Sequence, residues 1–170
     1  MRLIYRSAAL AAATLSVLVL AACDPQRISE LKEGVSTEAD VRDRFGAPEN
    51  VWDEPGGART FEYNRQPAGQ VNYMITIGSD GRMTALRQVL TPETFARVSP
   101  GMRMDEVRRL LGKPAKVTPY ELKKETWADW RYLEAPNQSK VFTVVYGPDQ
   151  FVLRTQTGAD TEAPEFKGGK

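Results

Sequence analysis

The residues of this chain best suited to covalent chemistry are scattered. Ser29, Ser36, Ser79, Ser99 and Ser139 fall at expected turns or helix ends, and none sits in a Gly-x-Ser-x-Gly elbow. The sequence holds no histidine, which removes every Ser-His and Cys-His nucleophile and every His-ligated metal site. A Ser-Lys or paired-carboxylate arrangement stays open, but no spacing singles one out, so catalysis is not the expectation. Ser79-Asp80-Gly81 offers one carboxylate where calcium takes roughly six to eight oxygens; a hairpin turn is expected there, with no metal and no cofactor. The residues better placed for work are those of recognition. Trp127, Arg131 and Asp129 lie close together, as do Glu62 and Met74 on a related stretch, with Trp52 beside a Pro-Gly-Gly turn. Tryptophan buries much area and arginine makes forked hydrogen bonds, the two properties that dominate interface hot spots.

Composition narrows the partner. The 170 residues carry 23 Lys+Arg against 22 Asp+Glu, a formal charge of +1, which gives no cationic excess for following a nucleic-acid backbone. With 41% hydrophobic and 26% charged residues the chain is of ordinary globular composition. Arg42, Arg44, Arg103, Arg108 and Arg109 mark the expected helices; they form a solvated face or meet lipid headgroups.

The N-terminus reads as an export signal. Arg2 and Arg6 precede an apolar run from Ala8 to Ala22, shorter than the roughly 20 residues a spanning helix needs. It ends in Leu20-Ala21-Ala22-Cys23, which resembles a bacterial lipobox. That resemblance implies a signal peptide over 1–22, a diacylglyceryl-modified Cys23 and a tether over 23–27. Acyl chains contribute about 0.8 kcal/mol per buried methylene, so two or three hold the domain at a membrane. The expected location is the periplasmic face of the outer membrane. Asp24, directly after the cysteine, resembles an inner-membrane retention signal and points the other way. Cys23 is the only cysteine, so no intrachain disulfide supports the fold.

The elements that must position the recognition residues come in a repeated pattern. Val41, Gly46 and Pro48 recur as Val107, Gly112 and Pro114, each 66 positions later; Phe61-Glu62-Tyr63 recurs as Trp130-Arg131-Tyr132, and Tyr73-Met74-Ile75 as Phe142-Thr143-Val144, each 69 positions later. The expected fold is α+β: two tandem repeats over 28–90 and 91–157, each a helix pair packed on an antiparallel sheet of three to four strands. The two share one extended curved sheet, and 158–170 form a flexible tail. Val41 and Phe45, and Met104, Val107, Leu110 and Leu111, give the helices apolar faces, ended by Gly46 and Gly112.

Period-two alternation predicts strands at 59–64, 70–78 and 82–90, then at 121–133, 141–146 and 150–156. Parity turns Phe61, Tyr63, Tyr73, Ile75 and Ile77, with Trp130, Tyr132, Phe142, Val144 and Tyr146, toward the helices. Glu62, Met74, Trp127, Asp129 and Arg131 then face outward, which makes Trp127 and Arg131 the centre of the expected interface.

The pattern Gly-x-x-x-x-x-Val-x-x-x-Leu-Gly-x-Pro on Gly101, Val107, Leu111, Gly112 and Pro114, together with the lipobox, resembles the SmpA/OmlA family of lipoproteins. The resemblance implies a helix pair on a small sheet and a cofactor-free accessory of outer-membrane β-barrel assembly, binding subunits of that machinery. The doubled unit departs from that family, and in architecture is similar to secreted β-lactamase-inhibitory proteins, though without their disulfides. That likeness implies the alternative, an inhibitor binding a periplasmic hydrolase through a concave sheet. In both cases the partner is an envelope protein, the membrane is met through the lipid, and no nucleic acid or small-molecule substrate is expected.

Overall fold

The computed structural model describes residues 28–163. The expected signal peptide, the lipidated Cys23 with its tether, and the last residues of the tail lie outside the described residues. Residues 1–32 separate from a compact unit that begins at Glu33. Of the former, only 28–32 are described, and there Leu31 N–H donates to Ile28 C=O at 3.1 Å.

Within the compact unit the chain runs α1 (Glu38–Phe45), β1 (Asn50–Asp53), β2 (Arg59–Asn64), β3 (Asn72–Ile77), β4 (Met83–Gln88), α2 (Pro92–Phe95), α3 (Met104–Leu111), β5 (Lys116–Tyr120), β6 (Glu125–Glu134), β7 (Gln138–Tyr146) and β8 (Val152–Ala159). The class is α+β and sheet-dominated. The strands form two four-stranded sheets, ordered β1-β2-β3-β4 and β5-β6-β7-β8, every pair antiparallel. The single extended sheet expected from the sequence is corrected to two sheets, with α3 packed against both. The helix pairs are corrected as well: α2 is one turn of four residues, too short to pack as a partner helix.

Local chemistry sets the helix ends. Thr37 caps α1 by a reciprocal box, its hydroxyl accepting from Asp40 N–H at 3.3 Å while Asp40 Oδ2 accepts from Thr37 N–H at 2.8 Å. At α3 the carboxylate of Glu106 accepts from Arg103 N–H at 2.6 Å. Both helices place acids in the first turn and arginines in the last, the arrangement the helix dipole favours. They stop at Gly46 (φ 81°, ψ −159°) and Gly112 (φ 74°, ψ −171°), a backbone region that is essentially glycine's alone. The residue before each helix also bridges to the start of a later strand, Thr37 to Arg82 and Arg103 to Phe151.

The layers follow from strand parity. On the first sheet Phe61, Tyr63, Ile75 and Ile77 are buried on the face that meets α1. There the Phe45 and Tyr63 rings lie 4.9 Å apart and the Tyr63 hydroxyl donates to Gly46 C=O at 3.1 Å. The opposite face is covered by α3 and the residues after it. Asn72 Nδ2 donates to Leu111 C=O at 2.8 Å and Lys113 C=O at 3.1 Å, and Lys113 N–H donates to Glu62 Oε1 at 2.9 Å. The other side of α3 packs on the second sheet, where Val107 and Leu111 join Trp130, Tyr132, Phe142, Val144, Tyr146 and Val152 in one core with Phe95 and Val98. Burying a side chain such as Leu111, with no exposed area, contributes about 2 kcal/mol. Thus α1 packs on one face of the first sheet, and α3 packs on part of the other face and on the second sheet.

Over 158–163, the described part of the tail expected at 158–170, the chain is ordered into the fold. Strand β8 continues through Ala159, and Asp160 and Ala163 are buried, because Arg131 draws the Asp160 carboxylate in, with Nε to Oδ2 at 2.6 Å.

Candidate protein-binding face

The second sheet has one face on the core and another that, among the described residues, is covered only at its Arg131 end, by Pro67 and Asp160. Cross-strand register builds the uncovered face in rows: Thr118, Trp127, Val145 and Arg154; below them Lys116, Asp129, Thr143 and Gln156. Half-buried Trp127 sits at its centre, beside Val145, which is fully buried although it lies on this face.

Trp127 is held from several directions. The Tyr120 ring is 4.8 Å away, Lys123 Nζ is 5.3 Å and Arg154 Cζ 5.9 Å from the Trp127 ring centre, and the indole N–H donates to Glu125 Oε2 at 2.9 Å. Arg154 closes a fork on the same carboxylate, at 2.7 and 3.1 Å. Those bonds, Arg154's first and the indole's second, hold the Glu125 carboxyl well below its usual 4.5, at about 2. A depressed carboxyl pKa stabilises the folded arrangement above the ordinary value and loses that contribution as pH falls through the folded one. The stability the cluster contributes therefore falls away between about 4.5 and about 2. Trp127 fluorescence of the folded chain is expected to stay constant from neutral pH to about 3 and to change only as the Glu125 carboxyl takes up its proton at about 2. Glu125→Gln should abolish that step.

The six recognition residues expected from sequence divide sharply. Trp127 and Asp129 lie on the uncovered face, Asp129 accepting from the Thr143 hydroxyl at 2.6 Å. Glu62 and Met74 are corrected: they are 0% and 7% exposed, because their outward face is the one α3 covers. Glu62 accepts from Asn64 Nδ2 at 2.8 Å and meets Arg108 Nη2 at 3.4 Å. Trp52 lies on the same covered face, paired with Thr60, under the Arg109 guanidinium at 4.7 Å. Arg131 faces outward as expected but is engaged internally, donating to Asp160 and, from Nη1, to Pro67 C=O at 3.0 Å. Its backbone exchanges bonds with the Gln66 amide, at 2.7 and 3.3 Å.

The helix arginines are likewise engaged: Arg42 with Glu38 at 2.8 Å and over the Phe61 ring at 4.8 Å, Arg103 with Asp105 at 3.1 Å.

Sequence reasoning missed Tyr120, Lys123, Glu125 and Arg154. It ran one strand from Glu121 to Leu133, where the chain instead makes a short turn at Glu121–Lys123, closed by Lys124 in the left-handed region at φ 52°. Pro119, a residue tolerated only at sheet edges, was the available signal for a separate edge strand. At the tip of that turn Leu122 is fully exposed.

Among the described residues no cluster of three or more His, Cys, Asp or Glu side chains could hold a metal, and no helix is long and apolar enough to cross a membrane.

No protein-family model matches the chain, so the resemblance to the SmpA/OmlA lipoproteins finds no support there, and no curated protein matches it. Two solved structures are similar in part. One is a DUF4309 family protein (YjgB) from Bacillus subtilis subsp. subtilis str. 168, 23% identical, covering 80% of this chain and 86% of that one, at a TM-score of 0.31. The other is a candidate beta-lactamase inhibitor protein from Streptococcus mutans, 9% identical, covering 72% of this chain and 82% of that one, at a TM-score of 0.34. At these scores neither likeness carries an argument about topology or function.

Proposed function

We propose that this chain is a non-catalytic protein-binding module of the inhibitor type, which masks an envelope hydrolase with the outward face of its second sheet. The observation that supports it is the Trp127 cluster. On an uncovered face a carboxylate bonds both the Trp127 indole and Arg154, with the Tyr120 ring and Lys123 packed against the same indole, so little freedom of the Trp127 side chain is lost on docking. The lipobox ending at Cys23 supports a module tethered by lipid at the periplasmic side of the outer membrane, with Asp24 favouring the inner membrane instead. The matched sheet orders and the matched glycine stops of α1 and α3 support descent of both halves from one duplicated unit. The barrel-assembly reading has less behind it: no family model matches the SmpA/OmlA resemblance on which it rests.

The test is inhibition. A soluble form beginning at Asp24, titrated against a panel of periplasmic hydrolases that includes β-lactamases, is expected to give saturable loss of activity with one of them. Trp127→Ala should weaken that inhibition about 30-fold, the equivalent of about 2 kcal/mol. Absence of inhibition across the panel, with β-barrel assembly subunits recovered on the lipidated protein, would return the assembly reading.

A further inference from the structure

A groove of about 410 Å³ opens between α3 and the edge strand β5, on the opposite side of the second sheet from the Trp127 face and within the size range of small-molecule sites. Met104, Pro114, Val117, Ala128 and Trp130 give it apolar walls. Two cations turn toward it, Arg108 and Lys113, and no carboxylate lines it; Lys116 borders the groove too, but strand register puts its side chain on the Trp127 face.

Two donors at this groove make no hydrogen bond within the protein. Tyr146 lines it with 0% of its surface exposed, and its hydroxyl is unpaired. Burial pushes the phenol pKa above its ordinary 10, which keeps it protonated and able to donate. The second is the buried Nε–H of Arg108, whose guanidinium touches Glu62 only through Nη2 at 3.4 Å. Buried unpaired donors are uncommon and costly, and a cationic rim over an apolar floor suits a ligand that ends in an anionic acceptor. Lys113 and Lys116 have acidic neighbours, Glu49 at 2.6 Å and Glu162 at 3.7 Å, both outside the groove lining.

We propose that this groove binds a free aliphatic carboxylate, its chain against Trp130, Met104 and Val117 and its carboxylate accepting from the Tyr146 hydroxyl and Arg108. It is a ligand site and needs no chemistry from the chain.

Octanoate is the probe, titrated into the full chain while the indole N–H resonances of Trp52, Trp127 and Trp130 are followed. The Trp130 signal, whose N–H donates to Gly112 C=O at 3.0 Å, is expected to shift saturably while that of Trp127 stays put. Octan-1-ol should bind at least about tenfold more weakly and octylammonium not at all. Tyr146→Phe should weaken octanoate about five- to tenfold and at the same time raise the ligand-free melting midpoint by about 3 °C, since it removes an unsatisfied hydroxyl. Val117→Glu, at a position 53% exposed and so tolerant of a polar residue, should repel octanoate without unfolding the protein.

An unmoved Trp130 signal, equal binding of the alcohol, or unchanged binding in Tyr146→Phe overturns the proposal. So does a lowered melting midpoint in that variant, which would give the hydroxyl a structural partner. A dimer that Val117→Glu dissociates and octanoate leaves intact would assign the groove to a second copy of the chain, and overturns it equally.

Discussion

Replacing Arg131 with alanine is expected to destabilise the folded chain by about 3–5 kcal/mol, the cost of stranding one member of a buried ion pair. The Asp160 carboxylate is 2% exposed and has Arg131 Nε 2.6 Å away. Without the guanidinium the Asp160 side chain loses its ion-pair partner in a poorly solvated place, and Pro67 C=O loses the donor at 3.0 Å. Urea unfolding should register the loss as a lowered midpoint at nearly constant slope. Arg131→Lys should recover little, because one ammonium cannot serve the Asp160 and Pro67 acceptors with a rigid fork. Adding Asp160→Ala to Arg131→Ala should restore part of the stability, giving a coupling of about 2 kcal/mol in the cycle. Trp127→Ala provides the contrast: it should impair partner binding far more than folding. A variant lacking Arg131 that keeps full stability and loses only binding would return that residue to the interface.

The second large effect concerns the two glycines that end α1 and α3. Both hold a backbone conformation that costs an L-residue about 1–3 kcal/mol, so Gly46→Ala, whose added methyl would meet nothing within 4 Å, should lose about 2 kcal/mol. Gly112→Ala should lose more, about 4 kcal/mol, because the same methyl would lie 2.6 Å from Asn64 Oδ1 and 3.0 Å from Asn72 Nδ2. Those amides join the first sheet to the end of α3, Asn72 through Leu111 and Lys113 and Asn64 through a 2.9 Å bond from Lys113 N–H. Thermal melts of the two variants side by side separate backbone strain, common to both, from the collision at Gly112 alone. Equal losses would show that the amide contacts contribute nothing measurable.

The residues that alternate most cleanly were the most legible. Phe61, Tyr63, Ile75 and Ile77, and Trp130, Tyr132, Phe142, Val144 and Tyr146, all turn inward as parity requires, and β2 spans the residues its pattern marked. For strands β1 and β5 the sequence marks only extended segments opened by Pro48 and Pro114, without bounds, because Asn50–Asp53 and Lys116–Tyr120 are short, and the second contains a proline. Parity also has a limit that Glu62 and Met74 expose. It says which side chains share a face, but it is silent on what lies against that face, and α3 comes from more than 40 positions downstream of Glu62. Asp160 illustrates the same limit at the other end of the chain, where polar composition suggested a loose tail and one arginine reversed the outcome.

The packing of α3 on both sheets also bears on how the chain assembles as it emerges. When Gln88 has crossed the membrane of an exported chain, the first sheet is complete in sequence, yet the surface bearing Trp52, Glu62 and Met74 has no cover until residues 104–113 emerge. Vectorial emergence would therefore pass through a stage in which an apolar and partly charged flank is bare, open to holdase chaperones and to association with other unfolded chains. A fragment ending near Leu90 would be arrested at that stage, and so would behave as a sticky intermediate instead of a free-standing half.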